Sequence, residues 1–505
     1  MTIYFNAKIF TLDGIKSWMR VENGKIIELG SGEVEKTEDS IDMEQKTILP
    51  GLMDAHLHVF SLGLHDKSLK LEGCRSIFEI QSKLKEFAIN REGWIIGRGW
   101  DQDLFEGKKY IRKEDLDQII PNQPVRLSRV CGHIVVVNSF ALKILGINQH
   151  TEDPDGGEIE RDIDGHPTGI LKEKAVDLVS PLIIVERNKR KEMISIGLQQ
   201  CLEVGLTGVQ TNDEEAWTIY KELQKEGRVP IRVYLTPNHN EIGRTDTPKP
   251  GTRDGLLYCD RVKLMVDGSL GAHTAAMREP YADTGETGIL VYSQEELNKL
   301  VGEAKAAGYR VEIHAIGDLA AETVINAIEV NNDNNRPILT HAQVLGEDLL
   351  EKMKNLKIIA NIQPIFIITD GKWADTLLGK ESERRKYSYA WKTMIDKGIH
   401  VSGGSDAPVE TNNPLLGMYS AIFREVWNGT IWREEERLTF EEVLFIYTKG
   451  AAYSAKEEER LGELALGFEA DFVVLKEDVI NHPELLNDAK VQQVYVSGIQ
   501  KLARP

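Results

Sequence analysis

Eight short apolar segments, separated by stretches of helical character, constrain this chain more than any other feature. MDAHLHV comes first. LTGVQT, IRVYLTP, RVKLMVD, YRVEIHAIG, PILTHAQV, KIIANIQPIF and HVSGGSD follow from about residue 190 onward. Helical patterning fills several of the gaps, as in RNKRKEMISIGLQQCLEVG, EEAWTIYKELQKEG, SQEELNKLVGEAKAAG and LAAETVINAIEVN. Strands this apolar suit a parallel sheet covered on both faces. Eight strand–helix repeats predict an α/β fold built on a closed, TIM-type (β/α)8 barrel. The alternative is an open doubly wound sheet, but no GxGxxG turn opens a helix here.

Two regions stand outside this scheme. Both ends are rich in short strands: TIYFNAKIF and SWMRVENGKIIELG at the start, with Asn23-Gly24 as a hairpin turn, and GELALGFEADFVVLKED and KVQQVYVSGIQK at the finish. They predict a small composite β-sandwich from residues 1–53 and 455–505. The barrel then takes 54–61 and 190–454. Residues 62–189 are too many for a loop and predict an inserted subdomain over the barrel mouth.

A formal charge of -19, with no basic patch visible, argues against nucleic-acid binding, and it disfavours anionic membrane surfaces. Neither a signal peptide nor a run of about 18 apolar residues is visible. Cys74, Cys131, Cys201 and Cys259 are far apart and form no CxxC, as expected of free thiols in a cytoplasmic protein. The partner expected is a small-molecule substrate, with room for a homo-oligomer.

The polar exceptions in the apolar segments fall where barrel enzymes hold their chemistry, at strand C-terminal ends. His56 and His58 end the first segment, and residues i and i+2 of a strand share a face. Lys263 interrupts the fourth; His314, His341 and Asp406 end the fifth, sixth and eighth. Singly, each has a plain structural explanation, such as a hydrogen-bonded core histidine or an aspartate in a turn. Together they point to a metal centre. Imidazole and carboxylate without thiolate suit Zn²⁺ first, then Mn²⁺, Fe²⁺, Ni²⁺ or Co²⁺. One ion takes His56, His58 and Asp406, and a second takes His314 and His341. Paired ions about 3.5–4 Å apart need a bridging anion. A carbamate formed from Lys263 and CO₂ supplies one. Glu173, in GILKEKA, competes for that role.

PGLMDAHLH, VKLMVDG, EIHAIGD, LTHAQ and SGGSDAPV together resemble the amidohydrolase superfamily. GRGWDQ, GHIVVVNSFAL, DGGEIERDIDGHPTGIL and DGSLGAHTAAM resemble its YtcJ-like branch, and the likeness spans essentially the whole chain. It implies the barrel, the composite β-sandwich, hydrolysis at a metal site, and His56, His58, Lys263, His314, His341 and Asp406 as ligands. VQTND departs from a His-Asp ending in strand two, which bears on pocket shape and not on ligation.

The expected reaction is metal-assisted hydrolysis of an amide or cyclic amide by an activated water, with Asp406 as ligand and acid/base. An ester or lactone hydrolase, a deaminase, or a metal-stabilised binding protein without turnover are the alternatives. His133 is expected to donate to the oxyanion or substrate carbonyl. Trp100, Asp101, Asp267 and His273, with Ser269, are placed on the substrate side. Arg384 and Arg385 are weighed for a substrate carboxylate, against a solvated helix face.

Overall fold

The apolar segments become strands Leu52–Leu57, Leu206–Thr211, Arg232–Leu235, Arg261–Met265, Arg310–Ala315, Ile338–His341, Ile359–Ile362 and Val401–Gly403. A computed structural model describes residues 1–91, 93–154, 156–179, 186–426 and 428–504. Every residue of these strands is buried except Met265, as expected when helices cover the outside and side chains fill the inside. The first three pair in parallel in one five-stranded sheet, and the last five pair in parallel in another. Hydrogen bonds join the sheets at both edges. Lys263 N donates to Pro237 O at 2.8 Å, Asp406 N to His56 O at 2.8 Å, and His58 N to Ala407 O at 2.9 Å. This mixed α/β arrangement is consistent with a TIM-type fold.

Helices Arg187–Glu203, Trp217–Lys225, Gln294–Ala306 and Asp318–Val330 occupy the expected gaps. Ser293 and Glu296 close a capping box at the start of the third. Helix Val59–Lys67 leaves the first strand directly after His58 and lies hard against Arg187–Glu203. A Cβ at Gly63 would come within 1.9 Å of Met193 O, and one at Gly197 within 2.2 Å of Val59 O, so both positions need glycine.

The inserted region builds a six-stranded sheet from Leu69–Lys70 to Pro167–Glu173, with its own apolar core around Trp100, Leu127 and Ile170. Its expected end crosses residues 180–185, which lie outside the described residues. The two termini meet, but by edge-to-edge pairing. Phe472–Leu475 is antiparallel to Thr47–Pro50, which merges both ends into one eight-stranded sheet. The two stacked layers expected of a sandwich are not shown by this pairing. Asn23 (φ 50) and Gly24 (φ 78) make the anticipated hairpin turn, with both residues in the left-handed region that such a turn needs. No helix among the described residues is long and apolar enough to cross a membrane.

Candidate metal centre

His56 lies in strand Leu52–Leu57 and His58 follows in extended backbone, and their rings sit 5.2 Å apart. Asp406 reaches them from the loop after Val401–Gly403. That loop approaches the first strand so closely that a Cβ at Gly404 would lie 2.6 Å from His56 N. Buried Asp54 ties the two together, its Oδ1 accepting from His56 N at 3.0 Å and Ser405 N at 3.1 Å. Asp406 Oδ1 then stands 3.2 Å from His58 Nε2 and 3.5 Å from His56 Nε2. One donor atom from each of His56, His58 and Asp406 lies within 4.8 Å of the others. Imidazoles and a carboxylate in this array fit a divalent metal.

The remaining expected ligands gather here too. Lys263 Nζ is 3.2 Å from His56 Nε2. The His314 and His341 ring centroids are 4.3 Å apart, and His341 is 5.8 Å from His56. Gln363 Oε1 holds His341 Nδ1 at 2.7 Å. His314 Nε2 meets Gly268 O at 3.0 Å. Asp406 (φ 57) and His341 (φ 75) both occupy left-handed backbone, where side chains other than glycine carry strain; such strain concentrates at functional sites.

Sequence reasoning missed Glu312, which lies at the heart of the cluster. Its Oε1 is 2.9 Å from His56 Nδ1 and 3.2 Å from Lys263 Nζ, and its Oε2 is 3.0 Å from Arg261 Nε. A signal was available: Glu312 precedes His314 by two residues in an apolar strand, so the two share a face. Burial opposes its charge, but Lys263 and Arg261 hold the carboxyl well below its ordinary range. Burial pushes Lys263 down. Burial, then Lys263, lowers His56 to about 4. Burial, then His314, takes His341 well below its usual value. Those two imidazoles are therefore unprotonated at neutral pH, the form that binds metal.

A cavity of about 520 Å³ opens over the cluster, lined by His56, His58, Lys263, His314, His341 and Asp406. A smaller one of about 110 Å³ adjoins it, sharing His133, His314 and Asp406. His133 stands between them, its Nδ1 2.9 Å from Glu173 Oε2. Glu173 is itself strained at φ 49 and ψ -128, and its Oε1 is buried without a hydrogen-bond partner.

Burial alone would lower His133, but the Glu173 carboxylate outweighs it and pushes the imidazole up to about 9. The metal-free folded protein thus holds a proton that the unfolded chain releases near about pH 6.5. The pair's contribution is complete below that pH and is lost as pH rises through about 9. Glu173→Gln in the metal-free protein is expected to flatten the fall in stability over this window, measured by denaturant titration at several pH values. An unchanged slope would refute the pairing.

Other expected substrate residues divide. Asp101 lines the smaller cavity and binds Arg129 at 2.9 Å; Ser269 lines it as well. Asp267 borders the larger cavity, but its carboxylate is taken up by the amides of Ala276, Ile316 and Gly317, which fixes the loop beside His314. Trp100 is a correction. It is fully buried in the insert's core, donates to Leu127 O at 3.0 Å and lines neither cavity. His273 is another, since its ring turns to Asp283 at 3.0 Å. Arg384 is spent on the carbonyls of Leu378, Glu279 and Pro280, and Arg385 on Asp375. Neither arginine lines the cavities: Arg384 ties its helix to the Glu279–Pro280 segment and Arg385 pairs with Asp375.

The model of the amidohydrolase family matches residues 39–500. The putative amidohydrolase YtcJ of Bacillus subtilis (strain 168) is 36% identical over 501 residues, covering 95% of this chain and 94% of that protein. The N-substituted formamide deformylase of Arthrobacter pascens is 27% identical over 533 residues, covering 99% and 98%. Among solved structures, an uncharacterized metal-dependent hydrolase from Pyrococcus horikoshii OT3 superposes with a TM-score of 0.78 at 29% identity, covering 94% of this chain and 97% of that one.

Proposed function

The chain belongs to the amidohydrolase family, a membership that with its solved neighbours supports a metal-dependent hydrolase, and on that premise we propose that it hydrolyses a C–N bond of an amide or cyclic amide. The observation that carries the reading is the His56, His58 and Asp406 donor set, within 4.8 Å, lining the 520 Å³ cavity. The named activity of the A. pascens relative supports the bond type. We read the two linked sheets as a closed (β/α)8 barrel, with 1–53 and 455–505 as the terminal domain, 54–61 and 190–454 as the barrel and 62–189 as a cover over its mouth. A cytoplasmic location completes the reading.

His56, His58 and Asp406 would hold one ion, zinc by donor chemistry, and His314 and His341 would hold a second. Lys263 as a carbamate would bridge them. Its burial favours the neutral amine from which a carbamate forms. When bound, the metal supplies a Lewis acid and lowers the pKa of water toward neutrality.

The chain's own groups supply the rest. Asp406, which borders both cavities, accepts the proton of the attacking water and passes it to the departing nitrogen, leaving acid and amine products. The imidazoles, with the His58 hydrogen bond, outweigh burial and hold it far below the usual carboxylate range, so it begins the cycle ionised. His133, with Nδ1 committed to Glu173, offers Nε2 to the oxygen that gains charge.

Metal analysis of the purified chain, and a panel of N-acyl amino acids and cyclic amides assayed with and without added Zn²⁺ or Mn²⁺, test this. Stoichiometric metal and metal-dependent turnover are expected. Bound metal with no turnover across the panel would leave a binding protein as the better reading.

A further inference from the structure

Arg98 lies on strand Ile95–Trp100 of the insert and borders the same cavity as His56, His58 and Asp406. It is seated tightly. Its Nη2 donates to Val130 O at 2.9 Å. Gly132, at φ +84, lets the guanidinium approach so closely that a Cβ there would lie 3.2 Å from Nη1. That packing sets Arg98 beside the Cys131-Gly132-His133 turn, whose histidine is the expected donor to the substrate.

A guanidinium carries five N–H donors, and the Val130 carbonyl engages one of them. Among the described residues no carboxylate forms an ion pair with Arg98, although the chain carries a net charge of -19. The neighbouring strand shows the contrast. Arg129 is ion-paired with Asp101 and Asp103 and donates to Gln102. Most acids on the cavity wall are engaged elsewhere: Glu173 with His133, Asp267 with backbone amides, and Asp406 with the histidines. Asp177, also on the wall, is not within ion-pair reach of Arg98. A cation at a site wall whose remaining N–H groups are claimed by no carboxylate ion pair among the described residues is placed to receive an anionic ligand. The planar fork matches a carboxylate by two parallel hydrogen bonds.

We propose that Arg98 is the substrate-recognition residue of this cavity and that the substrate carries a carboxylate close to the bond that is cleaved. The inference rests on the hydrolase reading and narrows it to anionic amides. The test uses the full-length, zinc-loaded protein and matched pairs of ligands, N-acetyl amino acids against their carboxamides, followed by calorimetry and by turnover. The free acids are expected to bind about 10- to 100-fold more tightly than the carboxamides, the range of hydrogen bonds to a charged group. Arg98→Gln should collapse that preference to within about threefold, and Arg98→Lys should keep part of it.

No preference in the wild-type protein, or a preference that survives Arg98→Gln, would overturn the proposal. Inorganic phosphate competing as well as the free acids would overturn the carboxylate assignment. If no amide is cleaved, the hydrolase reading fails, while the calorimetric preference and its loss still decide the role of Arg98.

Discussion

Asp406→Asn is expected to leave a folded, metal-binding protein whose turnover falls by about 10²- to 10⁴-fold. The substitution preserves size and the backbone bond from residue 406 N to His56 O. Asparagine also tolerates the left-handed backbone that this position requires at φ 57, so no new strain enters. What disappears is the negative charge and with it the only change in protonation that Asp406 can make. An amide oxygen still faces His58 and His56, but it neither accepts the proton of the attacking water nor returns one to the leaving nitrogen. The measurements are kcat on an amide found active in the panel, metal content, and the thermal midpoint. Turnover within tenfold of wild type, at equal metal content, would show that Asp406 is a ligand without acid/base duty.

Glu312→Ala is expected to produce the largest loss of stability of any single change near the site, about 3–5 kcal/mol, the cost of removing one partner from a buried ion pair. In the metal-free protein, with Lys263 uncarboxylated, Glu312 is 1% exposed and faces two buried basic groups, Arg261 and Lys263, while fixing His56 through Nδ1. Its loss leaves both groups without their carboxylate, because among the described residues Arg261 then keeps Thr236, Gln210 and a carbonyl of Ser454 as hydrogen-bond partners. The same change frees the His56 ring, and groups that orient a metal-binding imidazole are typically worth about 10- to 100-fold in metal affinity. Denaturant unfolding of the metal-free protein reads the first effect and competitive chelation reads the second. Glu312→Gln, which keeps the shape and a hydrogen bond to His56, should fall between the two forms. A loss below about 1 kcal/mol for the alanine variant would mean that Arg261 and Lys263 find other compensation, and the electrostatic account of the cluster would be wrong.

The two corrections and the one omission share a cause. His56, His58, His314, His341 and Asp406 are legible in sequence because a strand alternates its faces and these residues fall at or just past the ends of parallel strands, so position along a strand predicts position in space. Glu312 obeys the same period, yet an acid within an apolar strand has no visible purpose until Arg261 and Lys263 are seen against it. Trp100 ends a strand of the insert, Ile95–Trp100, and His273 lies on a loop, so neither belongs to the strand series that carries the histidines and Asp406. An aromatic in an insert and a histidine on a loop read alike whether they wall a pocket or fill a core, and here the indole took a carbonyl of its own sheet while the imidazole took Asp283.

By itself the sequence determined the alternation of strand and helix, the meeting of both termini, and a group of histidines with Lys263 and Asp406 at strand ends. These follow from local hydrophobic periodicity and from the parallel direction that consecutive strands share. Only the tertiary structure decided that Arg98, His133 and Glu173 of the insert line the cavity, that Glu173 locks His133, that Arg98 stands without an ion-pair partner among the described residues, and that the terminal strands join in one sheet. Those outcomes depend on contacts between segments remote in the chain, where packing and charge compensation, not local pattern, choose the partner.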